Sequence, residues 1–336
     1  MSRVLILNSK EVEQIITPKL AIEAVEKAYV QKHKNVGSNW PMVFHDFETG
    51  KADLDIKSGD LSDVYGLKVV SWMLANSKKG LPQLMSTVLM FDRSNGQPIA
   101  LLNGEALTGC RTGAAGTIGA KYLSRKDSRI LFMEGCGYIA AYLVASCLTC
   151  IRTIKKVIIV NPLHPEETES QLADFKERVK RIMNMDGLDP DADIVAADSI
   201  ENGCNEADII FTATPSYKPL IKEEWVRPGT HFSCIGADMS GKEEIDPEIF
   251  KTAEVFGDDQ DQCFTVGECE IPFRKGYIEK LDAEIGAVIV GDHPGRSDDN
   301  VITVFDSTGI SLQDLSTAEL IVTLAKEKGL GQYVEL

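Results

Sequence analysis

A glycine-rich turn between an apolar strand and an apolar helix is the feature that most constrains this fold. Residues 129–133 form an apolar run typical of a buried strand, and Gly135-Cys-Gly137-Tyr-Ile-Ala140 follows it. In this G-x-G-x-x-A pattern the first glycine allows a tight turn, the second leaves room for a pyrophosphate, and the small third residue lets helix and strand pack closely. A second apolar strand at 156–160 follows the helix, as the motif requires. The pattern predicts dinucleotide binding; the alternative is a purely structural turn.

The arrangement of apolar segments around this turn predicts an α/β fold. Between residues 119 and 299 strands alternate with helices, which is typical of a Rossmann-type doubly wound parallel sheet. Between about Trp40 and Ala100 the chain favours successive strands joined by turns such as Asn95-Gly96, which indicates antiparallel hairpins. We therefore expect an α+β domain from residues 1–118 with 300–336, and a dinucleotide-binding domain from residues 119–299.

Charge and hydropathy exclude two classes of partner. The 336 residues include 35 Lys and Arg against 51 Asp and Glu, a net charge of −16, which is unsuited to neutralising nucleic-acid phosphates. The uncharged stretch 135–151 is shorter than the roughly 20 residues of a membrane-spanning helix, so it predicts a buried helix and no membrane association. The apolar run Val4–Leu7 is too short for a signal peptide, so we expect a cytoplasmic protein with reduced thiols.

The cysteines and histidines give little indication of a metal site. Cys147 and Cys150 have the spacing of a redox or metal-binding pair, but no second pair or histidine set has matching spacing. Buried structural thiols are the favoured interpretation of the eight cysteines, and we expect no bound metal.

The end of the second strand bears on the choice of dinucleotide. Sites for NAD often place an acid there for the ribose hydroxyls, and sites for NADP place an arginine nearby. This chain has Asn161 and no cation in residues 162–165. Because Asn161 can hydrogen-bond a 2′-hydroxyl, we expect NAD, with NADP as the alternative.

Two further strand ends carry candidate functional residues. Thr212, Thr214 and Ser216 follow one strand, and Asp238 follows the next. Ligands of open α/β sheets bind beyond the carboxyl ends of the strands, so Asp238 could meet a nicotinamide ring there. The alternative is an aspartate that only stabilises the turn before Ser240-Gly241.

Several motifs in a fixed order resemble the ornithine cyclodeaminase/μ-crystallin family over nearly the whole chain. The segments that carry the resemblance are Gly66-Leu-Lys68, Gly80-Leu-Pro82, Leu107-Thr108-Gly-Cys-Arg111-Thr112-Gly-Ala114, the G-x-G-x-x-A turn, Thr212-Ala-Thr214, Ile235-Gly236-Ala-Asp238-Met-Ser-Gly241-Lys242, Gly295-Arg296, Thr303-Val-Phe305-Asp306-Ser307-Thr-Gly309 and Gln313-Asp314. The Gly236-Ala-Asp238-Met-Ser-Gly241-Lys242 and Phe305-Asp306-Ser307-Thr-Gly309 segments look like those of the enzymatic branches, cyclodeaminases and alanine-dehydrogenase-like members.

The resemblance implies roles for individual residues. Lys68 and Arg111 match the positions that hold the substrate α-carboxylate, and Asp238 matches the catalytic aspartate, with Lys68 beside it in the catalytic set. The implied cofactor-binding residues are Thr112, Gly135, Gly137, Tyr138, Ile139, Asn161, Thr212, Thr214 and Ser216.

The chain departs from the family pattern at two places. Ile139 stands where the family usually has Gln, and Met42 and Val43 follow Pro41 where many members have a cation. Lys57 is a candidate substitute for that missing cation; the alternative for Lys57 is a solvated strand residue.

The resemblance also implies an activity and an assembly. We expect NAD-dependent hydride transfer from the α-carbon of a small L-amino acid through an imine. Cyclodeamination of an ornithine-like substrate with release of ammonia is the first expectation. The alternatives are an amino-acid dehydrogenase or imine reductase, and a non-catalytic protein that binds NAD(P)H and a small ligand. The α+β domain is implied to bind the amino-acid or imino-acid substrate and to form a homodimer.

Overall fold

A computed structural model describes residues 3–336, which divide into two units. Unit 1 contains the chain up to Arg111 together with Ile310–Leu336, and unit 2 contains Thr112–Gly309. The helices are α1 (Ser9–Glu13), α2 (Pro18–His33), α3 (Glu105–Leu123), α4 (Tyr138–Cys150), α5 (Thr168–Asn184), α6 (Ile200–Glu206), α7 (Gln260–Val266), α8 (Glu270–Arg274), α9 (Ile285–Val290) and α10 (Ser311–Lys328). The strands are β1 (Arg3–Leu7), β2 (Ser38–Asn39), β3 (Val43–Glu48), β4 (Ala52–Asp60), β5 (Val64–Met73), β6 (Leu84–Asp92), β7 (Pro98–Asn103), β8 (Ile130–Glu134), β9 (Lys156–Val160), β10 (Asp193–Ala196), β11 (Ile209–Thr212), β12 (Tyr217–Ile221), β13 (His231–Cys234), β14 (Glu243–Ile245), β15 (Glu254–Gly257), β16 (Ala283–Glu284), β17 (Thr303–Asp306) and β18 (Gln332–Glu335).

Unit 1 is built on a mixed sheet in the order β18-β1-β7-β6-β5-β4-β2, with β3 paired to β4. The strands from β2 to β7 pair antiparallel, as the hairpin pattern predicts, whereas β1 pairs parallel to β7. Burial alternates along β5, where Val64, Gly66, Lys68 and Val70 face inward. Helix α10 packs against α2, β4 and β5, so the inward residues of these strands lie near its first turns.

Unit 2 is built on a sheet of parallel strands in the order β10-β9-β8-β11-β13-β17-β15-β16. From β8 the chain proceeds outward through β9 and β10 on one side, and through β11 and β13 on the other. The order of the strands therefore reverses between β8 and β11, which is the point at which doubly wound sheets bind ligands. The predicted Rossmann-type α/β fold is confirmed.

The uncharged stretch after β8 forms the buried helix that the sequence predicts. Residues 140–148 of α4 are all buried. Helix α3 crosses α4 closely: a Cβ on Gly113 would lie 2.5 Å from the carbonyl oxygen of Tyr142, so only glycine fits there. No helix within residues 3–336 combines the length and hydropathy that crossing a membrane requires.

The boundaries of the units differ from the expected ones. The division falls within α3, between Arg111 and Thr112, and again between Gly309 and Ile310. Residues 300–309, which the sequence pattern groups with the first domain, belong to unit 2 because β17 inserts between β13 and β15. The parallel ribbon β12–β14 and the last strand, β18, are not evident from the sequence, since polar residues or proline interrupt their apolar runs.

Candidate active site

The turn between β8 and α4 has the geometry that a dinucleotide pyrophosphate requires. Gly135 has a φ of +124°, a conformation that favours glycine. A Cβ on Gly137 would meet no atom of the described chain within 4 Å, so this glycine leaves open space at the turn. No side chain in residues 3–336 caps the first turn of α4, which leaves its backbone N–H groups available to an anion. These features fit a dinucleotide. Ala140 is buried, while Tyr138 and Ile139 begin the helix.

An arginine that sequence reasoning missed supports this turn from α5. Arg178 donates hydrogen bonds of 3.0 Å from Nη1 to the carbonyl oxygen of Gly137 and from Nη2 to that of Cys136. Because Arg178 is separated from the turn by about forty residues of sequence, no local pattern indicates this contact.

The Asn161 side chain is engaged in its own turn. Its Oδ1 accepts from the N–H groups of Leu163 and His164, and its Nδ2 lies 3.4 Å from Oε1 of Gln171. The neighbouring charge is acidic, since Glu166 lies 3.5 Å from the His164 ring. The turn therefore offers a ribose no cation, and the bond from Asn161 to a 2′-hydroxyl stays a prediction.

The predicted cofactor residues after β11 converge on a glutamate that sequence reasoning missed. Glu244, fully buried, accepts hydrogen bonds from the Thr212 hydroxyl (2.6 Å), from the N–H (2.6 Å) and hydroxyl (2.8 Å) of Thr214, and from Gly236 N–H (2.9 Å). Glu244 thus ties the carboxyl end of β11 to that of β13. Ser216 forms a separate turn, in which its hydroxyl donates to the Lys218 carbonyl oxygen at 2.7 Å.

Two more buried carboxyl groups lie near Glu244. Glu134 ends β8 directly before the glycine turn, and Glu268 accepts from the N–H groups of Glu244 and Ile245. Burial raises the pKa of Glu134 and of Glu268 well above the usual range, and the charge of Glu244 raises both further. Both shifts favour the neutral carboxyl form, which would lower the negative charge close to the glycine turn that follows Glu134.

Asp238 lies beyond β13 in the segment 236–242. Its Oδ1 accepts a 2.6 Å hydrogen bond from Lys242 Nζ, and its side chain is 38% exposed while that of Lys242 is 9% exposed. A carboxylate held this way keeps one face open to a ligand and is oriented by a nearly buried cation. Lys242 belongs to a segment that resembles the family, but the sequence indicates no role for it.

Unit 1 contains a second group of predicted site residues, centred on two lysines. Lys57 of β4 and Lys68 of β5 are directly paired across the antiparallel ladder, and both side chains are buried. Like charges directly opposite one another are destabilising in a sheet. Lys57 is buried and faces inward beside Asp55, whose Oδ2 lies 3.8 Å from Nζ. The alternative of a solvated Lys57 is therefore wrong.

Arg111 and Asp314 complete this group. Asp314 Oδ1 lies 2.7 Å from Lys68 Nζ and 2.9 Å from Arg111 Nε. Arg111 also donates from Nη1 to Gln313 Oε1 at 3.1 Å, and the Gln313 amide donates to the Tyr29 hydroxyl at 2.8 Å. Residues of α10 thus orient the guanidinium of Arg111, which is the last residue of α3 that belongs to unit 1. Thr112, the next residue, is buried in unit 2.

The charges of this group favour an anion. Lys57, Lys68 and Arg111 face two carboxylates, Asp55 and Asp314, which leaves one positive charge in excess when all five side chains are ionised. Burial lowers the pKa of Lys68 to about 7, the charge of Arg111 adds to that effect, and Asp314 opposes it. A bound carboxylate would balance the excess charge and would favour the protonated form of Lys68.

The predicted site residues thus fall into two sets by unit, with Lys57, Lys68 and Arg111 in unit 1 and the others in unit 2. Within residues 3–336 no group of His, Cys, Asp and Glu side chains has the arrangement of a metal site. All eight cysteines are free thiols, and Cys147 is buried in α4 with its pKa raised by burial.

Comparison with known proteins gives relatives that match along the whole chain. The iminosuccinate reductase of Paracoccus denitrificans is 37% identical over 99% of this chain and 100% of its own. An archaeal alanine dehydrogenase dimer solved with bound NAD is 34% identical with a TM-score of 0.88, covering 99% of each chain. The Δ1-pyrroline-2-carboxylate reductase of Thermococcus litoralis, solved with NADH and L-proline, is 28% identical with a TM-score of 0.88, covering 98% of this chain and 100% of its own.

The predicted cofactor, NAD, is the dinucleotide that both of these solved neighbours contain. A sequence profile described as the ornithine cyclodeaminase/mu-crystallin family matches residues 3–329. Together with the whole-length relatives, this match confirms the resemblance read from the motifs: the chain belongs to the ornithine cyclodeaminase/mu-crystallin family.

Proposed function

We propose that this chain is an NAD-dependent oxidoreductase that interconverts a small α-amino acid and the corresponding α-imino acid, as a dehydrogenase or imine reductase. The observation that carries the proposal is the buried, positively charged group of Lys57, Lys68 and Arg111, in a chain whose other unit has the glycine turn of a dinucleotide site. An iminosuccinate reductase and an alanine dehydrogenase among the relatives support this activity over cyclodeamination, the first expectation from the sequence.

The residues of the two groups have distinct roles in this proposal. Arg111 and Lys68 bind the substrate carboxylate, the first with a planar fork and the second as a point charge. Asp238 holds or removes a proton at the substrate nitrogen, and Lys242 orients it. Bound NAD would supply the hydride acceptor, and NADH the donor.

The preference for NAD over NADP rests on the turn after β9. A 2′-phosphate needs cationic partners to offset its desolvation, and this turn presents Glu166 and Glu167 instead. Titration of the protein with NADH and with NADPH tests this preference. Tighter binding of NADPH would overturn it.

A substrate panel separates the candidate activities. Small L-amino acids are supplied with NAD⁺, and 2-oxo acids with ammonia and NADH, while NADH absorbance and free ammonia are both recorded. Net formation or consumption of NADH supports a dehydrogenase or imine reductase. Release of ammonia from ornithine without net change in NADH would establish cyclodeamination, and NADH binding without any turnover would indicate a non-catalytic protein.

Two variants test the residue roles once a substrate is identified. Asp238→Asn keeps the size of the side chain but loses the basic carboxylate, so kcat should fall by ~10²–10⁴ while NADH binding persists. Arg111→Ala should mainly raise KM, because it removes the carboxylate clamp. Near-normal turnover by Asp238→Asn would refute its role in proton transfer.

A further inference from the structure

A fully buried glutamate in α8 contacts the segment that carries Asp238. The Glu270 carboxylate accepts 2.7 Å hydrogen bonds from the hydroxyl of Ser240 and from the N–H of Gly241. Its third partner is Arg274, whose Nη2 lies 2.5 Å from Oε1 of Glu270. Two of the three partners of Glu270 therefore lie two and three residues after Asp238.

Because burying a carboxylate is costly, the Glu270 side chain depends on the donors of this segment. A buried carboxylate is tolerated only when donors satisfy its oxygens. The Arg274 side chain is 64% exposed and therefore screened by solvent, so the Ser240 and Gly241 donors carry most of the compensation. If the segment moved away, Glu270 would lose both donors, so Glu270 and the segment hold each other in one conformation.

The other end of the same segment is held independently. Gly236 N–H donates to Glu244 at 2.9 Å, and Glu244 itself is anchored by Thr212 and Thr214. Residues 236–241 therefore lie between two buried glutamates from different elements. Asp238 lies between these two attachment points along the chain.

We propose that Glu270, acting through Ser240 and Gly241, is a positioning residue that holds the Asp238 carboxylate in its working orientation. This inference rests on the proposed function, in which Asp238 handles a proton at the substrate nitrogen. A residue that only stabilises the fold would change thermal stability without selectively changing the segment or the rate of the chemical step.

The first test uses variants that remove the attachment from either side. Ser240→Ala affects an exposed residue and should fold normally; Glu270→Gln retains the shape of the buried side chain but places an NH₂ opposite a donor. Ser170→Ala is the matched control, because it removes a 2.7 Å hydroxyl bond from an exposed serine of α5. In both test variants kcat should fall ~10-fold or more, with KM and the Kd of NADH within about threefold, since misplacing a reacting group acts on the chemical step.

A second measurement does not depend on activity. Hydrogen exchange of the peptides that span residues 236–241 should accelerate in Ser240→Ala and Glu270→Gln, and remain unchanged in Ser170→Ala and elsewhere in unit 2. Unchanged exchange in this segment, or unchanged kcat in an enzyme that Asp238→Asn inactivates, would overturn the inference. Accelerated exchange in a protein without turnover would support the role of Glu270 in holding the segment. The missing turnover would then count against the proposed function.

Discussion

The functional evidence at the level of single residues comes from side chains whose positions are unfavourable for the stability of the fold. Lys57 directly opposite Lys68 on the buried face of a sheet is unfavourable in two ways, through desolvation and through repulsion. Asp55 and Asp314 offset part of this cost but not all of the charge. An anionic ligand would offset the remaining charge, which supports the proposed binding of a substrate carboxylate here.

The first prediction concerns the titration of Lys68, whose pKa is lowered by burial to about 7. Below that pH the lysine is charged and attracts a carboxylate; above it the attraction is lost. Removing the amine with Lys68→Met should therefore raise the substrate KM several-fold at pH 6, and the ratio of variant to wild-type KM should shrink toward one above pH 8. Steady-state kinetics across this range measures the ratio.

The control for this measurement is Lys222→Met, since Lys222 is exposed in unit 2. It should give a ratio near one at every pH. A ratio for Lys68→Met that is constant between pH 6 and pH 9 would show that the charge of Lys68 does not contribute to binding.

At the scale of elements, the β8–α4 turn contains two glycines that do different things. Gly135 is needed for its backbone conformation, whereas Gly137 is in an ordinary conformation and leaves space open. The conformation of Gly135 affects the stability of the folded chain, whereas the open space at Gly137 affects only the binding of a ligand at the turn. Alanine substitution should therefore lower stability at Gly135 and cofactor affinity at Gly137.

We expect Gly137→Ala to fold with an unchanged Tm and to bind NADH at least about tenfold more weakly, because the added methyl occupies space near the pyrophosphate. Gly135→Ala should lower Tm by several degrees, since alanine at a φ of +124° costs on the order of 1–3 kcal/mol. Calorimetry and cofactor titration measure the two effects. Equal NADH affinity in wild type and Gly137→Ala would place the dinucleotide elsewhere.

The end of β17 gives a prediction about stability and pH. Burial raises the pKa of Asp306 to about 7, so the folded chain binds a proton that the unfolded chain releases from about pH 4 upward. Stability therefore falls as the pH rises from about 4 to about 7. Asp306→Asn should remove this contribution and flatten the decline by on the order of 2 kcal/mol, measured by denaturant unfolding at pH 5 and pH 8.

Asp127→Asn, at a side chain that is 83% exposed, is the corresponding control and should leave the pH dependence unchanged. Glu134 and Glu268, whose pKa values are also raised, add their own contributions to the wild-type decline. The comparison between wild type and Asp306→Asn isolates one carboxyl group. An identical decline in the two proteins would contradict the assignment.

At the scale of the whole molecule, unit 1 exposes a strand with three large apolar side chains. All six residues of β3 are exposed, including Val43, Phe44 and Phe47. Trp40, Leu81 and Met85 of the same unit are exposed as well. Unpaired edges and exposed apolar groups of this kind are usually covered by a partner. The archaeal alanine dehydrogenase relative is a dimer.

We therefore predict a homodimer in sedimentation velocity at micromolar concentration. Phe47→Glu places a charge on the exposed strand and should shift the protein toward the monomer, because burying an unpaired carboxylate in an interface is unfavourable. Leu163→Glu, at an exposed leucine of unit 2, should leave the dimer intact. A monodisperse wild-type monomer would remove the prediction.

The sequence by itself determined the Rossmann unit and much of the hairpin sheet. Both depend on local patterns: apolar runs of strand length, a glycine turn that must precede a helix, and an Asn-Gly turn between strands. The order of these segments then limits the parallel sheet to few topologies. Even the family motifs could be recognised from residue types and their order along the chain.

Only the tertiary structure decided which charges meet. Lys68 reaches Asp314 across 246 positions of sequence, Arg178 reaches the glycine turn, and Glu270 holds the segment of Asp238. No periodicity encodes such contacts, because they depend on strand register and on the packing of a helix from the end of the chain. The sequence identified Lys68, Arg111 and Asp238 as functional candidates, whereas their orienting partners became visible only after folding brought distant side chains together.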